Sequence, residues 1–593
     1  KLETTRSVAA LVKEVQRCGE CGDDSGMRDS FAYVKDILEA KRRSLKSPDA
    51  ARGMRWSPYS QGFHKLLELI GGDQILRVMK GNVGGVSTST GVRAARTRIR
   101  VTAGNAHAGV AHAAQIYKKL MLEHDITRCT VEVQSDETGI RNEPEIVNGY
   151  LVGFCGRQGP NHTCDPSFTI DVSGLNVYQT MKDAVDNCIV ATHAHATMIV
   201  PSDKRLPSIV IYVFATCQRF DTADVDAQMN MIHQEATQQL EPLGIVIVAE
   251  GSDGDSRRVK RMLAHMKRTQ VPVLGECWYE LPHMTFVCKS KLGRFGSQDP
   301  NHNGKKMLGN MTSLTRDLKL GTEPFSAKLG RVDVILTSVA KHARVIQRGD
   351  AQRSDPQNVA SMVRVCAETT LQQLDQFGGV RVTATRALLY VVQIYLRVFY
   401  GTTWTLLERV QYASFVWNFL RRWRLDVILD PGKSLTRNFL TYQTYQHMML
   451  SCHVVVMLIL ATRDHTPGME VGVRSTGSDA VERFFAMIAV MWSRWQRDVN
   501  FAGFLRASSK AIAKWELIAQ GYQVPRRNRR RMEVNAALLE PAGATPTRVP
   551  NPAVDTDVAV NNAWNEGDVL AAQHGATLGF RISPAAGGGG GGG

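Results

Sequence analysis

The stretch Gly244-Ile-Val-Ile-Val-Ala-Glu-Gly-Ser-Asp-Gly-Asp-Ser-Arg257 constrains this chain more than any other. An apolar, β-branched run ends abruptly in two carboxylates, Asp253 and Asp255, around one glycine. A basic helical pattern with Arg257, Arg258, Lys260 and Arg261 follows at once. The run reads as a buried strand. A buried strand that delivers a carboxylate at its C-terminal end is how an α/β fold presents a metal ligand. Oxygen-only ligands in a basic protein point to Mg²⁺ or Mn²⁺ acting on phosphates. The bland reading is a turn at Asp253-Gly and an N-cap at Asp255.

With 593 residues the chain has room for three or four domains and a large core. Its net charge of +16 favours a polyanionic partner, nucleic acid before an anionic membrane surface. Eleven scattered cysteines, among them Cys188, Cys217, Cys288 and Cys452 in apolar contexts, read as small core residues in a reducing compartment. No signal-peptide pattern is read at the start. The apolar run Met448–Thr462 is short for a bilayer and reads as a buried helix. Cys18 and Cys21 form a CxxC without two further ligands at suitable spacing, so zinc is not expected.

Residues 1–54 are polar. Over 55–125 short helical stripes are broken at Gly71-Gly72 and Asn82-Val-Gly-Gly, a helix-turn-helix-like punctuation, and the cluster Arg93, Arg96, Arg98 and Arg100 suits DNA. The helix over 104–124 is counted with this unit. Then the period changes. Strands are read at Thr130–Asp136, Asn148–Cys155, Ser208–Ala215, Ile245–Glu250 and Met284–Cys288, with helices at Asp221–Leu240 and Ser256–Met266. The order β-β-β-α-β-α-β over 126–310 is that of an RNase H-like domain, not of a Rossmann alternation. Residues 311–474 read as an all-helical insertion. Its aromatic stretch Ala387–Leu425, with Trp404, Trp417 and Trp423, is core rather than a stacking platform for bases. Final helices of the sheet domain occupy 475–524. The tail, 525–593, opens with the run Arg526, Arg527, Arg529, Arg530 and Arg531, a nuclear localisation signal, a DNA-contacting arm or a solvated linker. From 533 on it is Ala, Pro and Gly rich and expected to be disordered.

Two-metal phosphodiester chemistry needs carboxylates that converge on one spot. In an RNase H-like order the first strand would supply Asp136, the fourth Asp253, and a late helix Glu482. Each alone has a structural explanation as a turn, a cap or a solvated helix residue. Gln298-Asp-Pro-Asn-His302 offers Asp299 and His302 for positioning a metal or phosphate, with Lys305 and Lys306 as charge clamps. An Asp N-cap before Pro explains the same residues equally well.

Taken in order, these motifs resemble the P element family of cut-and-paste DNA transposases. Arg55-Trp-Ser57, Ser135-Asp-Glu-Thr-Gly-Ile140, Ser252-Asp-Gly-Asp-Ser-Arg257, Ser297-Gln-Asp-Pro-Asn-His302 with Lys306, and Ser478-Asp-Ala-Val-Glu-Arg-Phe-Phe485 follow the family's segments across residues 55–520. The resemblance implies an RNase H-like catalytic domain with a large helical insertion, the triad Asp136, Asp253 and Glu482 holding Mg²⁺ or Mn²⁺, and Asp255, Asp299, His302 and Lys306 as auxiliary groups. It implies cleavage and strand transfer at transposon ends, a nuclear protein, and a homo-oligomer on DNA, with Arg257 and Arg258 among the DNA contacts. In the family the insertion takes part in binding GTP; no GxxxxGK(S/T) loop is present here. Departures are the missing partners of Cys18 and Cys21, the residues Asn303 and Gly304 after the histidine, and the glycine tail. They leave open a domesticated DNA-binding protein without catalysis, and an RNase H-like nuclease acting on RNA or hybrids is a third reading.

Overall fold

The computed structural model describes residues 104–260, apart from 148, 160–161, 173, 175, 221, 254–256 and 259, and residues 295–466, 476–492, 499–519, 538–540 and 557–581. Its centre is a mixed five-stranded sheet. In chain order the strands are β1 (Cys129–Gly139), β7 (His193–Pro201), β8 (Ile209–Thr216), β9 (Ile245–Ser252) and β10 (Phe295–Gln298). In space they run β10-β9-β1-β7-β8. β1, β7 and β8 pair antiparallel, while β9 lies parallel to β1 and β10 parallel to β9.

Between β1 and β7 the chain makes a small excursion. It holds β2 (Glu145–Val147), β3 (Tyr150–Val152), β4 (Phe154–Arg157), β5 (Ile170–Asp171), a helix α2 (Val177–Asn187) and β6 (Cys188–Val190). The strand expected at Asn148–Cys155 therefore belongs to side sheets. The true neighbour of β1 is β7, whose opening His-Ala-His-Ala-Thr has little β-branched character. Its place between two strands, rather than its own propensity, makes it extended. The strand expected at Met284–Cys288 lies outside the described residues; the strand paired with β9 is β10.

One face of the sheet is covered by α1 (Ala106–Glu123) and α3 (Thr222–Leu240). Asn105 caps α1 by accepting from the Ala108 amide at 2.9 Å. Gly109 lets α1 lie directly on β8, because a Cβ there would fall 1.8 Å from the Ile211 carbonyl oxygen. This helix thus shares the sheet's core and does not belong to a separate N-terminal unit. The helix-turn-helix-like pattern over 55–103 is outside the described residues.

The opposite face receives α8 (Asp479–Trp492) and α9 (Phe501–Ala519) through Phe484, Ile488, Phe501 and Phe504. β1 is consequently buried on both sides through Ser135. Its alternation of apolar and polar residues suggests a half-solvated strand, yet Glu132 and Gln134 are buried.

After β10, helix α4 (Pro300–Thr312) leads into a helical region that includes α5 (Thr383–Tyr400), α6 (Leu406–Leu429) and α7 (Tyr442–His465). Thr405 and Glu408 close a reciprocal capping box at the start of α6. Trp417 and Trp423 are buried in this core, as is the run Met448–Thr462. The tail departs from expectation: α10 (Asp557–Thr577) packs along α6, with Trp564 1 % exposed and edge-on to Trp417. Ala and Gly, read as low complexity, are here the small residues that let two helices touch. A Cβ on Gly567 would fall 2.0 Å from the Gln411 carbonyl oxygen.

Candidate active site

The pairing of β1 with β9 sets two of the three expected carboxylates. Gln134 is the register partner of Gly251. Two residues past that pair stand Asp136, still on β1, and Asp253, the first residue after β9, close enough for its charge to act on Asp136. Both are partly buried. Glu482 lies in the first turn of α8, its side chain 44% exposed.

Buried polar groups on β1 bring α8 to this place. The Glu132 carboxylate accepts from the Gly477 amide at 3.2 Å, and the Gln134 side-chain Oε1 accepts from the Ala480 amide at 3.1 Å. The face of β1 that presents Asp136 thereby also satisfies open amides at the start of α8. The Ser297 hydroxyl donates to Glu132 as well. Burial pushes Glu132 up to about 7, with the donors from Ser297, Gln134 and Gly477 opposing.

α4 begins at the same spot. Asp299 caps it by accepting from the Asn301 amide at 2.7 Å, while its own amide donates to the Ser252 carbonyl at 3.1 Å. Gly477, with a φ of +92°, packs so tightly on Asp299 that a Cβ there would fall 2.4 Å from its Cα. His302 puts Nε2 3.3 Å from Glu482 Oε1. Lys306, one turn on, places Nζ 3.2 Å from His447 Nδ1.

Electrostatics ties these groups together. Burial pushes Asp136 up to about 7; repulsion from Asp253 and Glu482 adds to it, and Arg258 and the Glu137 amide pull the other way. Burial opposes the charged form of both His302 and Glu482, yet their mutual attraction wins, raising the first and lowering the second. Lys306 is lowered by burial despite Asp253 and Asp299 nearby. Like charges crowded at the C-terminal end of the central strand are relieved by a divalent cation. Asp299, His302 and Glu482 bring ligand atoms within 4.8 Å of one another. Asp136 and Asp253 would supply oxygens from the strand side, and Glu482 is common to both sets. This donor set fits a hard cation such as Mg²⁺ or Mn²⁺.

No protein-family model matches the chain, and no curated protein matches it by sequence. Its fold resembles that of a P element transposase chain. The solved structure is the Drosophila P element transposase strand transfer complex, with a TM-score of 0.50 and 12% identity over 83% of this chain and 97% of that one. At that identity the likeness is one of fold.

Behind Asp136 stands a group that sequence patterns do not reveal. Glu137 Oε1 lies 3.4 Å from the Arg258 guanidinium and 3.7 Å from His195 Nδ1. Arg258 also donates to the Ser135 carbonyl at 2.5 Å. Burial alone would raise Glu137, but the hydrogen bond from His195 and the charge of Arg258 hold it down to about 2. Arg258, expected among the phosphate contacts, is only 5% exposed and braces the end of β1. Arg257 donates to the Gln218 carbonyl at 2.8 Å and lies over the Phe220 ring. Glu137 lies inside the Ser135–Ile140 segment, but its partner His195 carries no motif, because the pairing depends on β7, which the sequence does not announce. Asp255, Arg93, Arg96, Arg98, Arg100, Arg526, Arg527, Arg529, Arg530 and Arg531 lie outside the described residues.

Proposed function

We propose that this chain is a metal-dependent DNA transposase built on an RNase H-like domain. Three antiparallel strands followed by two parallel ones, with the first strand central, is the order such a domain requires. The observation that carries the reading is the closeness of Asp136, on β1, to Asp253, just past the end of the adjacent parallel strand β9, with Glu482 near enough to influence Asp136.

In this reading Asp136, Asp253 and Glu482 would hold Mg²⁺ or Mn²⁺. The metal would activate water or a 3′-hydroxyl and stabilise the charge that develops on the scissile phosphate. Asp299 orients the start of α4, and His302 fixes the rotamer of Glu482. Lys306 supplies positive charge near the phosphate, and Arg258 with Glu137 keeps the end of β1 rigid. DNA is the partner, tracked by the chain's excess of Lys and Arg, and the nucleus is where it would work. Assembly into a multimer on DNA, and GTP at the insertion, would follow the pattern of the P element family.

The experiment is a nicking and joining assay on DNA ends with Mg²⁺ or Mn²⁺, wild type against Asp253→Asn. Cleavage by the wild type and none by the variant is the expected result. Full metal-dependent nicking by Asp253→Asn would falsify the assignment.

A second reading, DNA binding without catalysis, is favoured by one observation. Glu482 turns an oxygen to His302 at 3.3 Å. It predicts binding with a steep salt dependence and no cleavage in either metal.

A further inference from the structure

The small excursion between β1 and β7 is poorly provided with a core of its own. Its buried cluster is Leu151, Phe154, Val172, Ala184 and Cys188. Among the described residues only Phe168, Ile170, Val177 and Val190, all partly buried, add to it, a small core for several short strands and a helix. Where the excursion meets the end of β8, four side chains outside the carboxylate site converge: Cys155 on β4, His162 and Cys164 in the following loop, and Cys217 just after β8. Their ligand atoms all lie within 4.8 Å of one another.

The separations have the dimensions of a metal cage. His162 Nε2 is 3.7 Å from Cys155 Sγ and 3.5 Å from Cys217 Sγ, and Cys164 Sγ is 3.4 Å from Cys217 Sγ. Tetrahedral zinc, with Zn–S of about 2.3 Å and Zn–N of about 2.0 Å, separates its ligand atoms by about 3.5–3.8 Å. A disulfide would need its sulfurs at about 2.05 Å, and all four cysteines in and beside the excursion are free.

The backbone already holds the four in place. The Cys164 amide donates to the Arg219 carbonyl at 3.2 Å, and the Asp165 amide to the Cys155 carbonyl at 2.9 Å. Around Cys164 Sγ stand the Cys217 amide and the Thr216 hydroxyl, each at 3.4 Å, the kind of donors that surround a bound thiolate. Gly156, next to Cys155, makes room for the imidazole: a Cβ there would fall 2.6 Å from His162 Cε1. Cys155 and Cys164 are buried, whereas His162 and Cys217 are half-buried. Cys217 lines a surface cavity with Gln158, Thr192 and Arg219, which gives an ion a way in.

We propose that Cys155, His162, Cys164 and Cys217 form a structural zinc site that fastens the excursion to the edge of the central sheet. Three thiolates and one imidazole are soft, closed, four-coordinate ligands, which suits Zn²⁺ and excludes the Mg²⁺ or Mn²⁺ of a carboxylate site. Loading forms three Zn–S bonds and one Zn–N bond, and the three thiol protons pass to solvent. The sequence shows an incomplete pair at Cys18 and Cys21. The complete set is assembled from Cys-x6-His-x-Cys and a fourth ligand 53 residues further on.

The test is metal analysis of the full chain purified in reducing, chelator-free buffer, beside Cys164→Ser, His162→Cys and Asp253→Asn. We expect one zinc per chain, lost in Cys164→Ser and kept in His162→Cys and Asp253→Asn. Co²⁺ exchanged into the wild type should show thiolate charge-transfer absorption. Zinc that persists in Cys164→Ser overturns the proposal, as does wild type that binds neither zinc nor Co²⁺ with that absorption. A non-reducing mass that shows a Cys164–Cys217 disulfide also overturns it. If Cys164→Ser does not fold, a mercurial titration of wild type decides: thiol capture without zinc release counts against the site.

Discussion

Two clusters of metal-competent side chains sit at the same end of one sheet and differ in almost every physical respect. Asp136, Asp253 and Glu482 are carboxylates on one strand, just past another and on a helix, near the middle of the sheet. Burial, with their repulsion added to it, pushes Asp136 up to about 7. Cys155, His162, Cys164 and Cys217 are soft donors at its edge, and their separations already suit a tetrahedral ion. The first cluster is strained without a cation and keeps an exposed ligand in Glu482. The second is closed. An open, charged, oxygen-rich site can exchange ligands and do chemistry, while a closed sulfur-rich one can only hold structure.

The hardest test of that contrast is to soften the first site. Asp253→Cys should lose cleavage in Mg²⁺ by about 10³-fold, the worth of several kcal/mol of lost metal stabilisation. Mn²⁺, which accepts sulfur more readily, should restore a large part of it. Single-turnover nicking rates in the two metals are the measurement. Equal loss in both would mean that Asp253 does not touch the cation.

These residues differ in how readable they are. Asp253 was legible because a β-branched run ends on it, and Asp136 because its strand alternates. Glu482 was legible only through the order of motifs. The burial of Glu132 and Gln134 was not legible, since local periodicity cannot report that α8, more than three hundred residues away, covers that face. β7 was missed because its first residues are His, Ala and Thr, and with it went the Glu137–His195–Arg258 group. The zinc ligands were read as core cysteines for a similar reason. One of them belongs to a different strand, and spacing shows such a set only after the topology is known. The α10 helix was lost to composition, because alanine and glycine at a helix contact look like low complexity.

Arg258→Ala should be next in size. It leaves Glu137 buried without its cation, a change that costs about 3–5 kcal/mol when a buried pair loses one partner. The Tm should fall, and pairing the change with Glu137→Gln should recover most of the loss. Zinc content should stay at the wild-type level throughout, since the guanidinium braces β1 and not β8. A Tm that does not move would remove Arg258 from its structural role and return it to the surface contacts.

Gly156→Ala probes the other cluster without touching a ligand. Its methyl must displace the His162 ring, and changes just outside a ligand shell typically weaken metal binding about 10–100-fold. Competition with a chromophoric chelator would measure it. DNA nicking in Mn²⁺ should be unaffected. If zinc affinity is unchanged, His162 is not a ligand and the cage has only sulfur.

The smallest effect is also the most specific to the carboxylates. In metal-free protein Asp136 is raised above its ordinary carboxylate range to about 7. A raised acid favours the fold while protonated, so that contribution is complete below the ordinary range and is lost as pH rises through about 7. Glu137 has the opposite sign. It is held down to about 2, so its contribution is present above its ordinary range and is lost only as pH falls towards 2. Between pH 5 and 8, then, the Asp136 effect should be visible together with that of Glu132, which burial also pushes up to about 7; the Asp136 share is the part that Mn²⁺ and Asp136→Asn remove. That share should be about 1 kcal/mol once solvent screening of a partly exposed carboxyl is allowed for. Mn²⁺ binds the ionised form and should cancel that share of the decline, so the Tm gain from Mn²⁺ should grow across that window. Asp136→Asn should abolish the gain and shrink the decline to the part that Glu132 contributes. Zinc removal should lower the Tm equally in wild type and Asp136→Asn, by an amount that grows with pH because loading the cage releases thiol protons. A Mn²⁺ gain independent of pH would show that the cation binds away from Asp136, and the contrast between the two clusters would lose its electrostatic half.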